Sequence, residues 1–345
     1  MITDMDKNEQ FCIDILPKVS RTFAPTIRRL PRSLCLPVTV AYLLCRVADT
    51  IEDSGVLDIE QKKDILHAYA FLLKREQFRT ALDAFMKHIR ALPHQGADYE
   101  LVHNFPLIIA VYARFPKNVR KGISTWVCEM ISGMSKYAQS KYNSTQHFLN
   151  TLSDMDEYIY YVAGTVGNML TALFSHYSPH IDRSIAKKLQ KNSEAFGKGL
   201  QMINIIRDMP ADWRLHRSYI PNELLTKYAL TRGSIFSPHT VERSRQMVDE
   251  LIHRALSYLD GAMHYIVDIP KADVRIRLAC LLPLFWALQT LLHLKRNLNA
   301  FFHREKIKIS RTVIREEFFF AYLAVLSNRL IKRHYRSLRA AIEHA

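Results

Sequence analysis

Glycine is scarce in this 345-residue chain, with 10, and the five cysteines (Cys12, Cys35, Cys45, Cys128, Cys280) never form a CxxC pair. Scarce glycine argues against a turn-dense β architecture, and long stretches rich in Leu, Ala, Ile, Lys and Arg favour helices. Scattered, odd-numbered cysteines argue against a disulfide frame or a cysteine zinc site and predict reduced thiols in a cytosolic protein. No Gly-rich phosphate loop, Ser/Gly linker, repeat or low-complexity tract divides the chain, so it reads as one domain. Long clean apolar runs are missing too. The strongest window, Leu278 to Leu294, is interrupted by Pro283, Gln289 and His293, and reads as a buried core helix rather than a membrane span. The polar, acidic start, Met1 to Asp6, has the character of neither a secretory signal nor a transit peptide.

Acid is in deficit, with 33 Asp and Glu against 48 Lys and Arg, a net charge of +15. That excess points to an anionic partner. No helix-turn-helix spacing, zinc knuckle or RNA-binding aromatic motif is present, so nucleic acid is not expected. An anionic substrate or an anionic membrane surface remains.

What the chain has in abundance is helical periodicity. It predicts helices over 38–52, 59–74, 99–112, 118–141, 155–175, 184–209, 239–267, 274–300 and 311–342, with breaks at Pro31, Pro93, Pro116, Pro179, Pro221, Pro238 and Pro270. The fold class is therefore all-α.

Two acidic clusters stand out against this background. The first is Asp49-Thr50-Ile51-Glu52-Asp53. The second places Asp208 and Asp212 within Asn204-Ile205-Ile206-Arg207-Asp208-Met209-Pro210-Ala211-Asp212. Each pairs two aspartates at i and i+4, so both carboxylates of a pair share a helix face. Tyr42, Arg46, Asp49 and Asp53 form one polar stripe, and Gln201, Asn204, Asp208 and Asp212 another, each on an otherwise apolar helix. Inward-facing acids need a cation. Paired aspartates together with substrate phosphates suit Mg²⁺, whereas a His/Cys set would suit zinc. An Arg one turn before such a pair suits both carboxylate and phosphate. Pro210 is expected to kink or end the second helix and leave Asp212 on a fraying turn. Between the clusters, Tyr158-Ile159-Tyr160-Tyr161-Val162-Ala163-Gly164-Thr165-Val166-Gly167 combines small residues with tyrosines. The small residues serve either close helix approach or room for a ligand. The aromatic faces can stabilise a cation, and a phenol can move a proton.

Together with Ser20-Arg21-Thr22-Phe23 and Arg217…Tyr219-Ile220-Pro221, these ordered segments resemble the squalene/phytoene synthases from about residue 18 to at least 300. The resemblance implies a single-domain isoprenoid-synthase helical bundle around a deep apolar cavity. It divides the chain into a lead-in (1–17), a catalytic domain (18–310) and a basic amphipathic C-terminal helix (311–345). It implies a prenyltransferase joining two prenyl diphosphates head to head with Mg²⁺. Asp49, Asp53, Asp208 and Asp212 would hold the ions, with Glu52 as an outer helper. Ser20, Arg21, Arg46, Arg207 and Arg217 would contact diphosphate, and Gln201 and Asn204 would support the second site. Tyr161 would be the catalytic tyrosine, with Tyr42 near the first diphosphate.

Within that family, Thr171-Ala172-Leu173-Phe174-Ser175 and the basic strip Lys306-Ile307-Lys308-Ile309 look closer to the squalene branch, which reduces a cyclopropyl intermediate with NADPH. Lys308 and Arg311 would contact that cofactor, although Ser310 stands where another basic residue is expected. Phytoene or dehydrosqualene synthesis without reduction is the alternative. A non-catalytic assembly factor on the same fold is disfavoured by the intact aspartates and Tyr161. From Phe319 onward, Phe319, Leu323, Leu326, Leu330 and Tyr335 fall on one side and Arg329, Lys332, Arg333, Arg336 and Arg339 on the other. The tail is expected either to pack on the domain or to dock a cytoplasmic enzyme peripherally on an anionic membrane.

Overall fold

A computed structural model describes residues 6–20, 22–75, 78–138, 149–215, 217–305 and 307–345. Every regular element among them is helical, and the chain separates into two compact units. The first unit comprises Met1–Tyr142 with Asn168–Pro179, and the second Asn143–Gly167 with His180–Ala345.

The first unit contains α1 (Lys7–Val19), α2 (Ala24–Ile27), α3 (Arg32–Asp53), α4 (Ile59–Leu73), α5 (Arg79–His88), α6 (Ala97–His103), α7 (Phe105–Tyr112) and α8 (Lys117–Ala138). Helix α3 is its axis, packed by α1, α4, α6, α7 and α8. A fully buried aromatic trio, Tyr69, Phe85 and Phe105, has ring centroids 4.9–5.3 Å apart, and the Tyr69 hydroxyl donates to the Leu44 carbonyl of α3 at 2.8 Å. Asp58 and Gln61 form a reciprocal capping box that starts α4.

The second unit contains α9 (Leu152–Ile159), one π-helical turn (Tyr160–Gly164), and the start of α10 (Thr165–Tyr177), whose residues from Asn168 belong to the first unit. It continues with α11 (Arg183–Gln190), α12 (Ser193–Arg214), α13 (Asn222–Lys227), α14 (Val241–Asp268), α15 (Val274–Arg296), α16 (Leu298–Phe302), α17 (Arg311–Ala324) and α18 (Asn328–Glu343). Helices α12, α14 and α15 pack on one another, and α17 and α18 cover α15. By length and composition, α3 and α15 could each cross a membrane, yet 72% of each apolar window is buried inside the protein. For α15 this agrees with the core-helix reading.

Several helices stop where periodicity alone runs on. The 99–112 segment is two helices, because Pro106 has no N–H to continue the ladder past Asn104. The 184–209 segment breaks at Lys191–Asn192, and the 274–300 segment at Asn297. The 118–141 helix is described to Ala138, and its last three predicted residues lie outside the described residues. The expected single helix 311–342 is α17 and α18, parted by Val325–Ser327. Ser327 caps α18, and fully buried Arg277 donates to the Val325 carbonyl at 2.8 Å and to the Asn328 side chain. The same guanidinium takes the Ile266 and Ile269 carbonyls at the end of α14. One cation thereby satisfies carbonyls at two helix ends that would otherwise be buried without donors.

Pro210 does the opposite of what was expected. Helix α12 runs through it to Arg214, with Met209 and Pro210 buried, so Asp212 sits inside the helix rather than on a frayed end. Packing holds the turn despite the lost hydrogen bond to the Ile206 carbonyl.

The tightest contact in the second unit joins α12 to the π turn. A Cβ on Gly197 would lie 2.0 Å from the Ala163 carbonyl oxygen, and one on Gly167 would lie 1.9 Å from the Ser193 carbonyl oxygen. Both obstacles are backbone. Gly197→Ala is therefore expected to cost about 3 kcal/mol, whereas Gly233→Ala, with open space around it, should change stability by less than about 0.5 kcal/mol. Urea unfolding of the two variants measures the contrast.

Candidate active site

Between Pro37 and Glu52 every side chain of α3 is buried except Tyr42, Arg46 and Asp49, and the helix closes on exposed Asp53. The polar stripe read from the sequence is therefore the open edge of this otherwise buried stretch of α3. Around it, Arg46 makes a bidentate pair with Asp98 of α6 (Nε to Oδ1 2.9 Å, Nη2 to Oδ2 3.0 Å), while Nη1 lies 3.7 Å from Asp49. Burial works against the Arg46 charge, but the Asp98 hydrogen bond and the Asp49 carboxylate more than offset it and push its pKa up. Asp98 was not singled out in the sequence, because nothing in its local pattern marks it as the partner of a residue on another helix. Burial raises the Tyr42 phenol above its ordinary value, opposed by a hydrogen bond with Ser20. Ser20 is buried, and its hydroxyl accepts the Phe23 N–H at 3.1 Å. Arg21 lies outside the described residues.

Glu52 departs from its expected company. It is 4% exposed, off the open edge, and its carbonyl accepts the Nζ of fully buried Lys62 at 2.6 Å. A lysine beneath the last turn of α3 satisfies a terminal carbonyl and opposes the negative end of the helix dipole. That turn carries both aspartates of the first pair.

Helix α12 repeats the design. Lys198, Gln201, Asn204, Asp208 and Asp212 form its unburied edge, with Arg207 alongside. Asn204 donates to Gln201 at 3.4 Å. Arg207 grips its neighbour Asp208 through both arms, Nε to Oδ1 at 2.9 Å and Nη2 to Oδ2 at 2.5 Å. Each Asp208 oxygen retains a second lone pair for another ligand. The Asp212 carbonyl accepts the Arg217 N–H at 2.8 Å, which folds the Arg217–Pro221 segment back on the helix end. Tyr219 of that segment stacks on Tyr158 with centroids 5.2 Å apart.

The tyrosine segment is not the continuous α-helix expected over 155–175. The π turn inserts one residue at Tyr160–Gly164, a distortion frequent at functional sites. Tyr161 is half-buried on that turn, its ring 5.2 Å from Tyr160, and its carbonyl accepts the Thr165 hydroxyl at 2.7 Å. The Lys198 ammonium lies 5.6 Å from the Tyr160 ring centroid and 6.0 Å from that of Tyr258. Gly167 and Gly197 are accounted for by backbone approach, which resolves the two readings of the small residues towards packing.

Lys308 and Arg311 are both exposed. Ser310, the gap in the basic strip, has a structural duty: its hydroxyl caps α17 by accepting the Val313 N–H at 3.2 Å. Lys306 lies outside the described residues. The stretch leading to Lys308 is fastened to the end of α12, where Arg214 donates to the Arg304 carbonyl and the Arg304 guanidinium stacks 4.4 Å over Trp213.

No group of three or more His, Cys, Asp and Glu side chains forms a metal cage among the described residues. Each open edge instead offers two carboxylates, an oxygen-only set. This fits Mg²⁺, which keeps several waters and is held through one or two carboxylates plus phosphate oxygens. All five cysteines are free, and burial pushes the Cys12 and Cys280 thiols up to about 12, so neither offers a thiolate.

Lys62→Met keeps most of the stem but removes the donor to the Glu52 carbonyl. The expected loss is about 1–3 kcal/mol in urea unfolding, with Lys62→Arg losing less.

Comparison with known proteins places these features in context. The family model for squalene/phytoene synthase matches residues 16–313. The chain is 29% identical to squalene synthase of Schizosaccharomyces pombe over 90% of its own length and 65% of that protein's. It is 29% identical to a probable squalene synthase of Neurospora crassa over 88% of its length and 60% of that protein's. The chain thus spans less than two thirds of either relative. In fold it resembles a solved structure of TcSQS with a ligand, at a TM-score of 0.80 and 24% identity over 99% of both chains.

Proposed function

Because this chain belongs to the squalene/phytoene synthase family, we propose that it condenses two farnesyl diphosphates head to head through a cyclopropyl diphosphate and reduces that intermediate to squalene with NADPH. The observation that carries the proposal is the pair of open acidic edges. On α3 and on α12 alike, aspartates one turn apart, Asp49 with Asp53 and Asp208 with Asp212, share the unburied edge with an arginine.

In this reading each pair holds Mg²⁺, which when bound neutralises the departing diphosphate. Asp49 and Asp53 serve one diphosphate, and Asp208 and Asp212 the other, with Gln201 and Asn204 supporting the latter. Arg46 has its Nε and Nη2 engaged by Asp98, so Nη1 is the arm left for a phosphate oxygen. Arg207 releases Asp208 in part and turns toward phosphate, while Arg217, Ser20 and Arg21 complete the anion contacts. Tyr161 relays the proton lost as the cyclopropane closes, its phenol oxygen taking that proton while its own O–H proton passes to the departing diphosphate, and the Tyr160 ring beside it presents a π face to the cationic carbon. Tyr42 orients the first diphosphate beside Arg46. Glu52, buried behind the open edge, steadies the turn it shares with the aspartates. Residues 18–310 form the catalytic part, and the substrate is an anionic prenyl chain rather than nucleic acid.

For the reductive step, Lys308 and Arg311 would meet cofactor phosphates near the N-terminus of α17, a favourable end for anions. Arg304, four residues before Lys308, is fastened to the end of α12 by Arg214 and Trp213, which supports this assignment. Ser310 thins the cationic strip, which keeps the non-reductive outcome, dehydrosqualene, as the second reading.

The test is product analysis by gas chromatography–mass spectrometry with farnesyl diphosphate and Mg²⁺, with and without NADPH. Squalene is expected only when NADPH is present. Dehydrosqualene regardless of NADPH selects the second reading, and silence with both farnesyl and geranylgeranyl diphosphate rejects the enzyme. Asp49→Asn and Asp208→Asn should each lower turnover by at least about 10³-fold while circular dichroism stays unchanged. Near-normal rates in either would remove that aspartate from the site. Tyr161→Phe should lower kcat by about 10²-fold or more with little change in KM.

A further inference from the structure

Eight large apolar side chains are exposed among the described residues, and five of them, Phe319, Tyr322, Leu323, Leu326 and Leu330, fall in twelve consecutive positions. They occupy the last turns of α17, the connecting turn and the first turn of α18. Their exposure is not a sign of loose packing. Helix α17 already buries Glu317, Ala321 and Ala324, and α18 buries Ile331, Tyr335, Leu338 and Ile342 at helical spacing. The Tyr335 hydroxyl donates to Asp260 at 2.7 Å, and Arg339 pairs with the same carboxylate at 3.1 Å. Tyr335 and Arg339 therefore belong to the packed side, which corrects their placement on the tail's apolar and basic faces. Arg277 and the Ser327 cap hold the turn between the helices. The apolar set is displayed on a fixed scaffold, and a contiguous apolar patch of this kind marks an interaction surface.

Charge identifies what covers it. Arg315, Arg329, Arg333 and Arg336 are exposed along the same two helices. Of the three acids in 311–345, Glu317 is buried against Gln289 and His334, and Glu343 is held by Arg339, which leaves Glu316. A second copy of this chain would set arginines against arginines. An anionic bilayer complements them, and Phe, Tyr and Leu flanked by arginines are the side chains suited to its interface.

We propose that the α17–α18 turn docks this protein on an anionic membrane, with Phe319, Tyr322, Leu323, Leu326 and Leu330 entering the headgroup layer and Arg315, Arg329 and Arg333 meeting lipid phosphates. The contact is peripheral and depends on neither substrate nor activity, so it stands apart from the reaction proposed above.

Flotation of the full chain with vesicles tests it. The protein should float with vesicles of phosphatidylcholine mixed with phosphatidylserine and do so at least tenfold less with phosphatidylcholine alone. The double variant Phe319→Ser, Leu323→Ser, whose side chains are outside the core, should lose at least tenfold in partitioning at unchanged melting temperature. Arg329→Glu with Arg333→Glu should lose as much, and raised salt should weaken wild-type binding. A wild-type chain that ignores both vesicles, or a serine pair that floats like wild type, overturns the proposal. So does a dimer in sedimentation velocity that the serine pair dissolves, since the patch would then belong to a second copy.

Discussion

Two backbone contacts govern the geometry of the second unit: Gly197 against the Ala163 carbonyl, and Gly167 against that of Ser193. They bring the π turn against α12 with no side chain between them. That approach fixes Tyr161 relative to the edge bearing Gln201, Asn204, Asp208 and Asp212. A phenol on a distorted turn is only as well placed as the turn, and here the turn rests on the backbone of the helix that carries the acids. The stacking of Tyr158 on Tyr219 ties the Arg217–Pro221 segment into the same assembly. Chemistry requiring a proton acceptor and an anion site at fixed separation is served by such stiffness.

Acid pairs on a buried helix pose an electrostatic problem that the molecule solves locally. Both helices turn their aspartates to the open edge and set an arginine beside them. Arg207 holds Asp208, while Arg46, anchored on Asp98, approaches Asp49. The carboxylates remain partly hydrated, so no large desolvation penalty accumulates before a ligand arrives. The arginines are also the groups best suited to phosphate. The same pairs thus stabilise the open edge and keep beside it the side chains to which the proposed function assigns diphosphate. Lys62 acts from the other side, bonding the Glu52 carbonyl and steadying the turn from within the core.

Both polar stripes could be read from spacing, because a step of three or four residues is a statement about one helix and needs no tertiary information. The all-α class was legible for the same reason. Asp98 and Lys62 were not, since their partners, Arg46 and Glu52, lie on another helix. The breaks at Asn104, Asn192 and 325–327 were lost because apolar periodicity continues across a short interruption. Pro210 misled in the other direction, since its local cost is real but burial of Met209 and Pro210 keeps the turn helical. Ser310 looked like a defect in a basic strip until its role as a helix cap was visible.

The net charge of +15 illustrates why composition constrains partners only loosely. Some of these cations are spent inside the protein: Arg277 on carbonyls at two helix ends, Lys62 on the end of α3, Arg339 on Asp260 and Glu343. Others sit at the acidic edges, where they balance aspartates. Others face outward over the whole surface, among them Arg315, Arg329, Arg333 and Arg336 of α17 and α18, which lie beside the exposed apolar residues. A single excess read from the sequence therefore divides into structural, site and surface shares with different partners. Only the surface share responds strongly to ionic strength, because buried and paired charges are shielded from mobile ions. Salt therefore separates the two proposed anion-binding roles: it should weaken the proposed attachment at the α17–α18 turn more than the proposed binding at the half-buried edges of α3 and α12.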